Sequence, residues 1–136
     1  MRDKKNWLKQ GGKITKNKMI LFDYSANAGS YIGHYFHQDL LVAKFIYEKS
    51  PKRHIDIGSR MDGFVAHVAA FREIEVVDVR PLSRSKHENI KFTQVDFMKP
   101  QEDLGKADSV SCLHAIEHFG LGRYTDPNDV NGHEKV

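Results

Sequence analysis

The sequence predicts an α/β domain built on a mainly parallel sheet of about four strands. Three observations carry that expectation. IEVVDV (74–79) is β-branched and almost wholly apolar, the pattern of a strand buried on both faces. HIDIGS (54–59) runs a short strand pattern into a glycine turn that opens a helix. Helical and strand patterns follow one another along residues 34–113, the order that layers helices on a sheet.

Taken in order, residues 1–18 read as a tail, 19–22 (MILF) as an extended apolar segment docking on the domain, and 23–33 as a loop rich in turn residues. Residues 1–33 therefore form a basic N-terminal tail and docking segment, and 34–136 the domain. From His34 to Lys49, Phe36, Leu40, Ala43 and Tyr47 recur at helical steps and share a face. Ser50-Pro51 ends that helix, because proline disfavours a helical conformation in the residue before it. After the strand at 54–59, Asp62 to Phe71 reads as one helix with Val65, Val68 and Ala69 on a stripe. Strands follow at 74–79, 90–96 and 108–113, and Ile55, Val76, Val77 and Val110 make them look central. The connections 80–89 and 97–107 are short for parallel crossovers and leave room for one or two helical turns at most.

A chain of 136 residues fits one domain with a real core. Its net charge of +3 is uneven: residues 1–18 carry seven Lys and Arg against Asp3 alone, about +6, which leaves about −3 for the rest. A short basic arm touches nucleic acid or acidic membrane in some proteins. With no aromatic interleaving beyond Trp7, the expectation is a solvated terminus without nucleic-acid binding. Cys112 stands alone, which excludes a disulfide within the chain and a thiolate metal cluster. No signal-peptide pattern opens the sequence and no apolar run approaches the length of a bilayer span. A reducing, cytoplasmic setting without membrane contact is expected.

Gly58-Ser59-Arg60-Met61-Asp62-Gly63 matches the dinucleotide fingerprint G-x-G-x-x-G except at the middle glycine. That glycine lets a backbone approach pyrophosphate. Arg60 in its place, and the negative Asp62 at the helix start, disfavour pyrophosphate and with it nicotinamide redox chemistry. A ligand with a ribose and a charged amino-acid end is still allowed. Asp78 closes the second strand 20 residues after Gly58, where a carboxylate accepts both hydrogen bonds of a ribose diol. Asp96 closes the third, followed by Phe97: an acid for an exocyclic amine and a ring for a base face. A strand-ending Asp is often only a turn or cap residue; acids at consecutive strand ends, with a glycine turn at the first, point to a nucleoside site.

His114-Ala-Ile-Glu117-His118 spells H-x-x-E-H, a zinc-protease signature. Zinc needs both histidines on one face of a helix, yet a strand pattern precedes His114 and Gly120 and Gly122 follow closely. No bound metal is expected.

D-x-G-S, the acid closing strand two, V-D-F after strand three and S-C-L-H-A-I-E-H after strand four together resemble a class I S-adenosylmethionine-dependent methyltransferase. More narrowly, HYFHQDLLVAKFIYEKSPKRHIDIGSRMDGFVAH, EIEVVDVRPL and SVSCLHAIEHFGLGRYTDPNDVNGHEKV are similar to an uncharacterised methyltransferase-like family, a domain of unknown function first described in Caenorhabditis. The resemblance implies a Rossmann-like fold with S-adenosylmethionine as cofactor. Asp56, Gly58, Ser59 and Arg60 would line its methionine end, with Arg60 pairing with its carboxylate; Asp78 would hold the ribose, Asp96 and Phe97 the adenine. His114 would face the cofactor pocket. Glu117 and His118 would deprotonate a hydroxyl or amine of a small-molecule or glycan acceptor, or else serve as a cap and a packed structural residue. Arg123 and Tyr124 would contact the acceptor or anchor their loop. The family continues with a further helix and strand, so the sequence is expected to hold only the N-terminal part of a seven-stranded fold. Strand four then becomes an open edge for a homodimer or partner chain. Turnover is expected only once the fold is completed; the alternative is a truncated, catalytically inactive remnant or interaction module.

Overall fold

The computed structural model describes residues 2–16, 18, 26–29, 31–83, 86–99, 103–124 and 127–134, with backbone only at Arg2, Asp3 and His133. The docking segment expected at 19–22 lies outside the described residues. The chain divides into two compact units, 1–31 and 32–136.

In the first unit, part of the expected tail is helical: α1 spans Arg2–Lys9. The helix closes on Gly11, at φ +82°, and Gly12, whose amide donates to the Trp7 carbonyl (3.0 Å). The Trp7 ring lies over Gly12, where a Cβ would stand 2.1 Å from the indole nitrogen. The tail reading missed this because it weighed charge rather than the turn glycines.

The second unit is α/β with a four-stranded, all-parallel sheet. Helix α2 (His34–Lys49) leads to β1 (His54–Ile57), then α3 (Ala66–Ala69), β2 (Ile74–Asp78), β3 (Ile90–Gln94) and β4 (Ser109–Ser111). The strand order is β3-β2-β1-β4. Ile55 pairs with Glu75 on one side of β1 and with Val110 on the other. No helix forms in either short connection among the described residues.

Helix α2 stops at Ser50, whose left-handed conformation (φ 44°) lets its amide cap the Ile46 carbonyl (2.9 Å). Its core face differs from the expected one. Ala43 and Ile46 are buried, with Val42 packed beside them, whereas Phe36, Leu40 and Tyr47 are exposed. The contact line runs about one residue round from the expected stripe, along Asp39, Val42, Ala43 and Ile46.

The helix expected over 62–71 is broken. Met61–Val65 forms one wide turn in which the Val65 amide reaches back five residues to the Arg60 carbonyl (3.3 Å). Gly63 sits at φ −122°, ψ −110°, outside helical space. Its missing side chain admits α2: a Cβ there would come within 2.8 Å of Asp39 Oδ2.

Strand period separates two apolar clusters. Ile74 and Val76 pack with Phe64, Val65, Val68 and Ala69 beneath α2. Val77, with Ile55 and Val95, faces the opposite layer, where Leu104 and Ala107 add partial cover. The expectation that Val110 lies in a central strand is corrected: β4 is an edge strand and Val110 is 60% exposed. At the amino ends of the strands, Asp108 accepts from the Lys52 and Arg53 amides (2.7 and 2.8 Å), and Arg53 forms a forked ion pair with Glu75 (2.7 and 2.6 Å). These contacts tie the lower rim together and leave the carboxyl ends for other work. No described helix is long and apolar enough to cross a membrane.

Candidate functional site

At the carboxyl ends of the strands the backbone leaves β1 through Gly58, at φ +71°, with its amide on the Val77 carbonyl (2.9 Å). A Cβ at Gly58 would stand 2.9 Å from the Ala115 Cβ, so only glycine fits without displacing the chain beyond β4. Beside this turn opens a small hollow of about 40 Å³. Gly58, Asp78, Asp96 and Phe97 line it with His118 and Tyr124. Three of the predicted strand-end groups therefore converge with their neighbouring ring.

Asp96 is held by the Met98 amide (3.0 Å) and Lys99 (3.0 Å). Phe97 packs edge-on against Phe119, ring centres 6.0 Å apart. Asp78 is held more tightly. Arg80 Nε donates to both its oxygens (2.9 and 3.1 Å), its terminal nitrogen bonds Oδ2, and the Arg80 amide donates to Oδ1 (2.8 Å). Arg80 also stacks over the Tyr124 ring at 4.6 Å. Sequence reasoning passed over Arg80, though VVDVRPL put an arginine two residues beyond the strand-ending acid, within reach of it.

Other expected site residues stand elsewhere. Asp56 is fully buried and does not line the hollow. Its carboxylate accepts from the Ser59 amide (3.1 Å), the Ser59 hydroxyl (2.7 Å) and the Ser111 hydroxyl (2.5 Å). Strand period puts Asp56 on the same side as His54, opposite Ile55 and Ile57, and so turns it from the hollow. Ser59 is buried with it and receives the Leu113 amide (3.1 Å). Arg60 bends back to Asp62 (3.1 and 2.9 Å). That pair borders a second hollow, which also touches Asp78 and Arg80.

His114, expected to face the pocket, instead packs edge-on against Tyr35 of α2, ring centres 3.9 Å apart. Its φ of 59° turns it there, and its buried Nε2 has no hydrogen-bond partner among the described residues. Glu117 and His118 do not face one space: His118 lines the hollow beside Gly58 and Glu117 a third, with Leu121 and Asn128. Arg123 donates to His118 Nε2 (2.9 Å). Ile116–His118 is a single 3-10 turn, so H-x-x-E-H lacks the helix that zinc would need. Among the described residues no group of three His, Cys, Asp or Glu side chains is placed to hold a metal ion. Burial pushes the Cys112 thiol up to about 11, which keeps it protonated near neutrality.

Behind the glycine turn runs a buried polar chain with a fixed direction. Ser111 donates to Asp56, so its oxygen accepts from His54 Nε2–H (3.0 Å). Nδ1 then carries no proton and accepts from the Ser109 hydroxyl (2.8 Å). The chain joins β1 to the edge strand β4. Burial, aided by the Arg72 charge, lowers His54 from 6.5 to about 4. The unfolded chain takes up this proton more readily than the folded one. The His54 contribution is therefore complete above pH 6.5 and lost as the pH falls from 6.5 to about 4, by up to about 3 kcal/mol. Asp56 acts in the opposite sense: burial raises its pKa, so its contribution falls as the pH rises through that raised value. Urea midpoints should drop between about pH 7 and about pH 5, and the drop should shrink in a His54→Gln variant. An equal drop in both proteins would show that other groups set it.

Comparison of the chain with protein-family models, with curated proteins and with solved structures finds no match.

Proposed function

We propose that this chain carries the nucleoside-binding half of a class I S-adenosylmethionine-dependent methyltransferase fold, and that S-adenosylmethionine is its ligand. The observation that carries the reading is the meeting of Gly58, Asp78, Asp96 and Phe97, from three successive strand ends, in one hollow. Strand order adds independent support. The chain builds β1, β2 and β3 outward, then returns to place β4 on the other side of β1. In open α/β sheets, ligands bind beyond the carboxyl ends of the strands at such a switch point.

The residues present fit the cofactor's nucleoside end. Gly58 provides a turn too close to Ala115 for any side chain. Asp78, once released by the Arg80 guanidinium, offers acceptors to a diol, Asp96 offers an acceptor to an exocyclic amine, and Phe97 an apolar face to a base. Bound cofactor supplies a methyl group already activated on sulfonium, so alignment and exclusion of water are the protein's share. His118, at the edge of this hollow, is the remaining candidate for taking an acceptor's proton. The acceptor, a small molecule or a glycan, would enter from the side of Glu117 and Leu121.

Titration calorimetry with S-adenosylmethionine, S-adenosylhomocysteine and NAD tests this. The first two are expected to bind and NAD to fail. Asp78→Ala is expected to weaken binding by about 10- to 100-fold, the scale of hydrogen bonds to a charged acceptor. Failure of both methionine-derived ligands, or an Asp78→Ala variant with unchanged affinity, would overturn the assignment.

A further inference from the structure

Asp78 has too little free capacity for a ribose diol, because three Arg80 N–H groups leave about one of its lone-pair sites open. A carboxylate has about four lone-pair sites. Oδ1 accepts from the Arg80 amide (2.8 Å) and Nε (2.9 Å); Oδ2 accepts from Nε (3.1 Å) and the terminal nitrogen. A vicinal diol needs two acceptor sites on the same group. Ligand and guanidinium therefore compete for one carboxylate.

The two ends of this pair are held unequally. The Asp78 side chain is only 10% exposed and is fixed at the end of β2, whereas that of Arg80 is 41% exposed. Beyond Asp78, the guanidinium makes a long contact with the Gly58 carbonyl (3.3 Å) and stacks on Tyr124. It also borders both the nucleoside-side hollow and the second hollow near Ser59 and Asp62. Its backbone amide can keep its bond to Oδ1 while the side chain swings toward the second hollow.

We propose that Arg80 is a displaceable latch that determines the affinity of this site: it occupies Asp78 in the free protein and gives way to the vicinal hydroxyls of a ribonucleoside. The latch rests on the nucleoside reading above. It neutralises Asp78 in the free protein, beside the buried carboxylate of Asp56, whose pKa Asp78 helps to raise. The Tyr124 loop is held to the site by the same guanidinium, so ligand entry releases that loop from Arg80.

The test is titration of adenosine, 2′-deoxyadenosine and S-adenosylhomocysteine into the wild-type protein and into Arg80→Ala, Arg80→Gln and Arg80→Lys variants. Removing a competing pair of this exposure should tighten adenosine and S-adenosylhomocysteine binding about fivefold in Arg80→Ala and Arg80→Gln. Arg80→Lys should fall between, since lysine lacks the fork. 2′-Deoxyadenosine should bind about tenfold more weakly than adenosine to every protein, having lost one hydroxyl. Unchanged or weaker binding of adenosine to both Arg80→Ala and Arg80→Gln would overturn the latch while leaving the nucleoside site standing. Equal binding of adenosine and its deoxy analogue would also overturn the latch, because the diol would not be the competitor. Absence of binding to any of the proteins would sink the latch and the nucleoside site together.

Discussion

Replacing Phe64 with alanine is expected to lower stability by about 4 kcal/mol, the range for emptying a large aromatic site in a packed core. Phe64 is 1% exposed and lies among Val65, Val68, Ile74 and Val76, where α2 and the sheet close over it. Its ring also stands edge-on to His54, centres 6.4 Å apart. Domains of this kind are held by about 5–15 kcal/mol in total. The variant is therefore expected to be much less stable, with a urea midpoint reduced by about a quarter or more. A loss below about 1 kcal/mol would mean that the helices repack into the vacated space.

Asp56→Ala is expected to cost about 3 kcal/mol for a different reason. The change removes one acceptor and strands three donors: the Ser59 amide and the hydroxyls of Ser59 and Ser111. Buried donors without partners cost about 1–3 kcal/mol each, and hydroxyl rotation recovers part of that. Asp56→Asn should lose less, because the amide oxygen still accepts while the serine hydroxyls turn to receive its N–H groups. The consequence reaches function. Ser59 follows Gly58 directly and holds the Leu113 amide, so freeing it loosens the turn that shapes the hollow beside Gly58. Asp56→Ala should therefore weaken S-adenosylhomocysteine binding as well as stability, although Asp56 does not line the hollow. Unfolding curves and calorimetry on one preparation separate the two effects. A variant as stable as wild type would show that Ser59 and Ser111 find other partners.

Much of the fold was legible because strand and helix patterns are local. Ile74, Val76 and Val77, β-branched and apolar within Ile74–Asp78, read as a covered strand, and all three are buried. Gly58 announced its turn, and Ser50-Pro51 the end of α2. The stop at Gly63 was less legible, since a glycine inside a helical pattern states its reason only when the neighbour it admits, Asp39, is known. The core line of α2 was misjudged for a similar cause. The helix carries apolar residues on most of its circumference, so sequence spacing alone did not single out the side that meets the sheet.

The candidate site divides along the same line. Acids at successive strand ends, a glycine turn and a ring beside the third acid were determined by sequence, because each belongs to a single short element. Which of them share a space was decided by the tertiary structure. Asp78, Asp96 and Phe97 meet because parallel strands in adjacent register end at one level. Asp56 turns inward because Ser111, on a strand 55 residues away, is paired beside it. Arg60 is drawn off by Asp62, His114 by Tyr35, and Asp78 is claimed by Arg80. Local pattern specifies where a polar group leaves the backbone. For Asp56 that partner arrives only when a distant segment packs, because an unpaired buried polar group costs more than the shift needed to pair it, whereas Arg60 and Asp78 take partners two residues away.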